Sequence, residues 1–197
     1  MIAADPQQAA PKKFPFETYG PFPIGSDLDL TSRLDANDFW DNIDEMHPGL
    51  RSAIGVYIFA VQPTKKSKLI PWYVGKTERG SFERRFRNHR LLFDKLLSRN
   101  GKQHLFLIAR IKPGGKTFMK PRKKVPSIDI LETMLIERSI DVNGNLYNES
   151  KVVHVKGLIV PGFKGKTAGK PKSSAQELKR MLYTKVSAEG ALDVSFG

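Results

Sequence analysis

Two tyrosine-bearing fragments, Gly55-Val56-Tyr57 and Tyr73-Val74-Gly75, constrain the fold of this chain more than any other part of it. Ile54 to Val61 alternates, with Ile54, Val56, Ile58 and Ala60 on one side and Tyr57 and Phe59 on the other, which is the period of a strand. Leu69 to Gly75 returns as a second strand, and Pro71 puts its start at an edge or an irregularity. Between them, Pro63 to Lys68 is turn-like and basic. Ser81 then caps a helix whose apolar positions Phe82, Phe86, Phe93 and Leu97 keep the helical period until Asn100-Gly101 ends it. Leu105 to Ile111 is expected as a third strand, and Pro126-Ser127 opens a helix running to about Asp141. The expected fold is α+β, a small three-stranded antiparallel sheet flanked by helices.

The flanks differ from this centre in charge. Residues 1–50 carry three bases against nine acids, whereas residues 51–197 carry 30 bases against 11 acids, so a net −6 precedes a net +19. A segment that basic attracts polyphosphate. Residues 1–35, rich in Pro and Gly, read as an irregular arm, and Phe39, Trp40, Ile43 and Met46 place a helix over 35–46 with Asp35 at its N-cap. That acidic helix either packs on the main domain or folds over a basic groove and restrains it. Three segments are therefore expected: an acidic 1–50, a central domain over 51–150, and a basic 151–197 containing a short helix from Ser174 to Lys185.

Composition excludes several classes. The chain has no cysteine, so disulfides, thiol catalysis and thiolate zinc sites are out, which fits a reducing cytoplasm, the expected location. No apolar run is long enough to span a bilayer, and Met1 to Pro15 lacks the apolar stretch of a secretory signal, so no membrane partner is expected. His47, His89, His104 and His154 are too scattered for a zinc motif. Gly162 to Thr167 has glycines too closely spaced for a phosphate-binding P-loop. Asp129 with Glu149-Ser150-Lys151 mimics an Asp…Glu-x-Lys nuclease pattern, but Asp129 opens a helix instead of closing a strand.

The chemistry-bearing residues form an ordered series. After the two tyrosine triplets comes Phe82-Glu83-Arg84-Arg85-Phe86-Arg87-Asn88-His89, with Arg85 and His89 one helical turn apart. Glu132 follows in Ile130-Leu131-Glu132-Thr133-Met134-Leu135-Ile136, flanked by apolar side chains, where a carboxylate is costly unless it meets a cation. Asn148 closes the series in Leu146-Tyr147-Asn148. Over residues 53–149 this set resembles the GIY-YIG nuclease family, with Val for Ile in both triplets. One departure is the spacing of Tyr57 and Tyr73, sixteen positions, longer than is usual there. The extra residues fall in the turn holding Lys65, Lys66 and Lys68.

The resemblance implies a metal-dependent DNA endonuclease. Tyr57 would be the general base, its phenol pKa lowered by basic neighbours such as Lys76, and Tyr73 would help hold the water. Arg85, preferred over Arg84, and His89 would face phosphate, Glu132 would hold Mg²⁺ or Mn²⁺, and Asn148 would complete the catalytic set. Lys65, Lys66, Lys68 and Arg84 are candidate DNA contacts. Lys120, Arg122, Lys123 and Lys124, interleaved with Phe118 and Met119, join them from a basic insertion over 112–124. A restriction or defence enzyme is the preferred setting. The alternatives are a structure-specific repair nuclease and a nucleic-acid-binding module that does not cut. One site per chain would cut both strands as a homodimer or by sequential nicks.

Overall fold

The computed structural model describes residues 13–24, 33–88, 95–96, 99–115 and 117–148, with short helical pieces at 151–152, 173–174, 176–177 and 181. The chain divides into two units, Met1–Glu149 and Ser150–Gly197. The rest of the helix expected over Ser174–Lys185 lies outside the described residues.

The first unit is α+β. Strands β1 (Phe16–Ile24), β2 (Gly55–Gln62), β3 (Ile70–Thr77) and β4 (Lys102–Arg110) form one antiparallel sheet in the order β1-β4-β2-β3. Helices α1 (Arg33–Met46), α2 (Phe82–Arg87) and α3 (Pro126–Val142) complete it. The sheet thus has four strands, not three. The additional one, β1, lies within the stretch expected to be irregular. Its Gly20, Pro21 and Pro23 argue against a strand, but β1 is an edge strand whose register shifts between Tyr19 and Phe22, and edges and bulges are where a sheet accepts proline.

One sheet face carries the main core. Phe22, Ile24, Tyr57, Phe59, Leu105, Leu107 and Ala109 pack there with Ala36, Trp40 and Ile43 of α1 and with Phe82 and Phe86 of α2. The indole of Trp40 meets Phe86 edge-on at 5.2 Å, and Phe86 lies 5.0 Å from Tyr57. Helix α1 is therefore part of the support beneath Tyr57. Its acids serve a neighbouring contact: Arg51 bridges Asp41 of α1 to Glu83 of α2, and Arg87 of α2 reaches Asn37 at 2.6 Å. Of the two readings of the acidic segment, packing on the domain is the one the described residues bear out. Removing residues 1–50 would strip β1 and α1 from the core, so such a truncation reports folding and not release of restraint.

Helix α3 packs on β3 and β2, where Val56, Val74, Ile128 and Ile136 are buried. Pro126 occupies its first turn, where a missing N–H costs nothing, and Asn143 ends it. Ser81 caps α2 by accepting from the N–H of Arg84 at 3.2 Å, as expected. α2 itself covers only Phe82–Arg87. Phe93 and Leu97 of the longer helix expected here lie outside the described residues. Because β2 is covered on both sides, its alternation is not visible as alternating exposure, and a register shift between Phe59 and Ala60 breaks it. Among the described residues, no helix is long and apolar enough to cross a membrane.

Candidate active site

Glycine at two positions lets this site form. Gly55 and Gly75 sit on the paired strands β2 and β3, where Gly75 faces Tyr57 across the ladder. A Cβ on Gly75 would lie 2.5 Å from the Tyr57 hydroxyl oxygen and 2.7 Å from Cε1 of Tyr73. A Cβ on Gly55 would run into the carbonyl of Ile108 on β4. The missing side chains are what allow two tyrosine rings to lie together, centroids 6.0 Å apart, above a closely paired sheet.

Arg85 of α2 joins them. Its Nε donates to the Tyr57 hydroxyl at 3.4 Å, and its charge is also felt by Tyr73. This geometry selects Arg85 over Arg84 for the position next to the tyrosines, leaving Arg84 exposed one residue earlier. The pKa of Tyr57 is raised above the ordinary 10.0, first by burial and then by Tyr73, with Arg85 opposing both. Tyr73 is raised too, mainly by burial; Arg85 opposes and the Glu132 carboxylate adds to the rise. The expected lowering of the Tyr57 phenol does not occur in the free protein, because desolvation of a fully buried ring outweighs one cation.

Nor is Lys76 the cation beside Tyr57. Its ammonium lies 2.5 Å from Asp129, 3.7 Å from Glu78 and 3.8 Å from Glu132, on the α3 side of the strand. Glu132 is 8% exposed and belongs to the buried stripe Ile128, Glu132, Ile136 and Ser139 of α3. Burying that carboxylate is tolerable because Lys76 stands near it. Among the described residues, no group of three His, Asp or Glu side chains is arranged to hold a metal ion. The donor set suits a hard cation held through one carboxylate, with water and phosphate oxygens as its other ligands.

Asn148 is bonded to the backbone of β3. Its side chain accepts from the N–H of Val74 at 2.9 Å and donates to the same residue's carbonyl. Tyr147 N–H donates to the Trp72 carbonyl at 2.9 Å, and the Asn143 amide to the Pro71 carbonyl at 2.8 Å. The segment after α3 thus covers the outer edge of β3, and Asn148 fixes the backbone between Tyr73 and Gly75. Both of its hydrogen bonds go to backbone.

Beside the cluster, a cleft of about 370 Å³ is bounded by Lys76, Glu78, Arg79, Arg84, Arg85 and Asn88. Four of these are cations. The segment carrying Lys120, Arg122, Lys123 and Lys124, all exposed, is tied to the cleft wall: Arg122 N–H donates to the Glu78 carbonyl at 2.8 Å and Val125 N–H to the Glu78 carboxylate at 3.1 Å. Lys65, Lys66 and Lys68 are exposed at the other end of the β2–β3 hairpin, about five strand residues, or ~17 Å, from Tyr57. Their turn is ordered by Gln62, whose amide donates to the Ser67 carbonyl at 3.0 Å. His89 lies outside the described residues.

Sequence reading missed Arg79, Glu78 and Asp129 as members of this site. Asp129 had a usable signal, since it stands one helical turn before Glu132 and so on the same side of α3. Comparison with known proteins adds nothing to the geometry: no family model, no curated protein and no solved structure matches the chain.

Proposed function

We propose that the protein hydrolyses phosphodiester bonds of DNA at the cluster of Tyr57, Tyr73, Arg85 and Glu132, as a GIY-YIG-like endonuclease. The observation that carries this reading is the meeting of Tyr57, Tyr73 and Arg85 from β2, β3 and α2 beside a basic cleft, with the Glu132 carboxylate of α3 close enough to raise the pKa of Tyr73. In this reading the cleft cations hold the phosphate backbone. Tyr57 and Tyr73 orient a water, and Tyr57 accepts its proton as the oxygen approaches phosphorus. Arg85 donates to a phosphate oxygen and offsets charge that develops in the transition state. Glu132 is the residue that would hold Mg²⁺ or Mn²⁺, which when bound supplies charge neutralisation at the phosphate. Lys76, held by Asp129, stands 3.8 Å from the Glu132 carboxylate and offsets part of the cost of burying its charge.

A second reading, a nucleic-acid-binding module that does not cut, is favoured by the same Lys76, whose ammonium already neutralises Glu132. Supercoiled plasmid separates the two. Wild type with Mg²⁺ or Mn²⁺ is expected to nick or linearise it, and EDTA or Glu132→Gln to abolish cutting by at least ~10³-fold with binding retained. Binding by both proteins without cutting would leave the second reading.

The raised pKa of Tyr57 gives a further expectation. A base that is protonated at neutral pH gains its active form about tenfold per pH unit below its pKa. kcat/KM for cleavage should therefore climb about tenfold per unit between about pH 6 and 9 without levelling. A plateau near neutrality in a single-turnover pH series would exclude Tyr57 as the base in the free protein.

A further inference from the structure

Arg110, the last residue of β4, is 3% exposed and ion-paired with no carboxylate among the described residues. Its Nη1 donates to the carbonyls of Pro15 at 2.7 Å and Ile111 at 2.5 Å, and its guanidinium carbon lies 5.3 and 5.2 Å from the rings of Phe14 and Phe16. Its Nε finds no hydrogen-bond partner among the described residues. Burial without a counter-charge pulls its pKa below the ordinary value. A buried guanidinium is costly unless an anion meets it, and two carbonyls with two ring faces offset only part of that cost.

The surroundings specify what could meet it. Arg110 lines a pocket of about 600 Å³ on the α3 side of the sheet, walled by Phe14, Phe16, Met119, Ile130 and Met134. Phe14, Ile130 and Met134 are more than half exposed there, although they are large apolar side chains. Ser127, at the start of α3, also lines the pocket, and its buried hydroxyl likewise lacks a partner among the described residues. Among the described residues no acid lines the pocket, and its other charged residues are Arg122 and Lys124. The volume lies in the range of small-molecule sites.

We propose that this pocket binds a small amphiphilic anion, an apolar chain or ring bearing one carboxylate-like head, with the head on Arg110 and the body against Phe14, Phe16, Ile130 and Met134. A carboxylate matches the fork of a guanidinium, and the missing Nε partner is one of the donors such a fork uses. The apolar walls select against small inorganic anions, which bring no surface to bury. The site is separate from the cleft of Arg79 and Arg84, and its test does not depend on the nuclease reading.

The test is calorimetric titration of the full chain with decanoate, decan-1-ol and decyltrimethylammonium, below their aggregation concentrations. Decanoate is expected to bind once per chain and at least tenfold more tightly than the alcohol, with the cation weakest. Met134→Glu, at an exposed position, should weaken decanoate at least tenfold. Arg110→Leu should make decanoate and the alcohol equal; should that variant not fold, Met134→Glu still decides. Equal affinity of wild type for decanoate and decan-1-ol would overturn the proposal. So would the absence of saturable binding, whether another part of the chain fills the pocket or nothing does.

Discussion

Replacing Arg85 by lysine is expected to slow DNA cleavage ~10²–10³-fold while leaving thermal stability almost unchanged. Arg85 is half-buried, donates to the Tyr57 hydroxyl, and lies on a short helix fixed by the Ser81 cap and by buried Phe82 and Phe86. Lysine keeps the charge and much of the stem. It loses the planar fork that would let one residue bond Tyr57 and a phosphate oxygen together. The neighbouring substitution is the control. Arg84 borders the cleft without touching the tyrosines, so Arg84→Lys should change single-turnover cleavage less than threefold, roughly within the spread of exposed cation contacts. Equal effects of the two would show that the cleft is only a basic surface.

Gly75→Ala is expected to have a large structural effect at the paired tyrosines. The new Cβ would fall 2.5 Å from the Tyr57 hydroxyl and 2.7 Å from a Tyr73 ring carbon, and neither ring can withdraw. Tyr57 is fully buried, against Phe59, Phe86 and Tyr73. Overpacking of this kind costs ~1–3 kcal/mol, and in a unit of this size it should lower Tm by roughly 2–12 °C. Cleavage should fall with it, because the displaced rings are the ones proposed to hold the water. Gly144→Ala, where a Cβ meets nothing within 4 Å, should leave both unchanged. A Gly75→Ala protein with wild-type Tm and wild-type rate would mean that the two rings are not held as described.

What could be read from the sequence follows a physical division. The hairpin of β2 and β3, the Ser81 cap and the α3 boundaries were legible because each is specified by neighbours a few positions away: alternation, a hydroxyl cap, a proline in the first turn. β1 was not legible, since its glycine and two prolines signal a break locally while its pairing partners on β4 lie 79 to 94 positions away. The site divides similarly. Tyr57, Tyr73, Arg85 and Glu132 could be placed together from the order of their motifs. The partner of Lys76 could not, because Lys76 points to α3 and which cation meets which acid depends on the packing of that helix. Asn148 was legible as a member of the set and not as to its role. Its bonds go to the backbone of Val74, and a side chain that grips backbone leaves no trace in the residue it grips.

Lys76 also frames what is most in need of measurement. A lysine beside Glu132 serves a nuclease by offsetting the cost of burying the carboxylate, and serves a silent binding module by neutralising it. The direct measurement is cleavage of an end-labelled duplex in ¹⁸O-enriched water with Mg²⁺ or Mn²⁺, read by mass spectrometry of the products. Hydrolysis at this cluster predicts fragments carrying a terminal phosphate with one ¹⁸O, formed by wild type and absent with Glu132→Gln. Fragments without the label would exclude direct attack by water. Intact duplex that is nevertheless bound, with either cation, would contradict the assignment of this cluster as a phosphodiester-cleaving site.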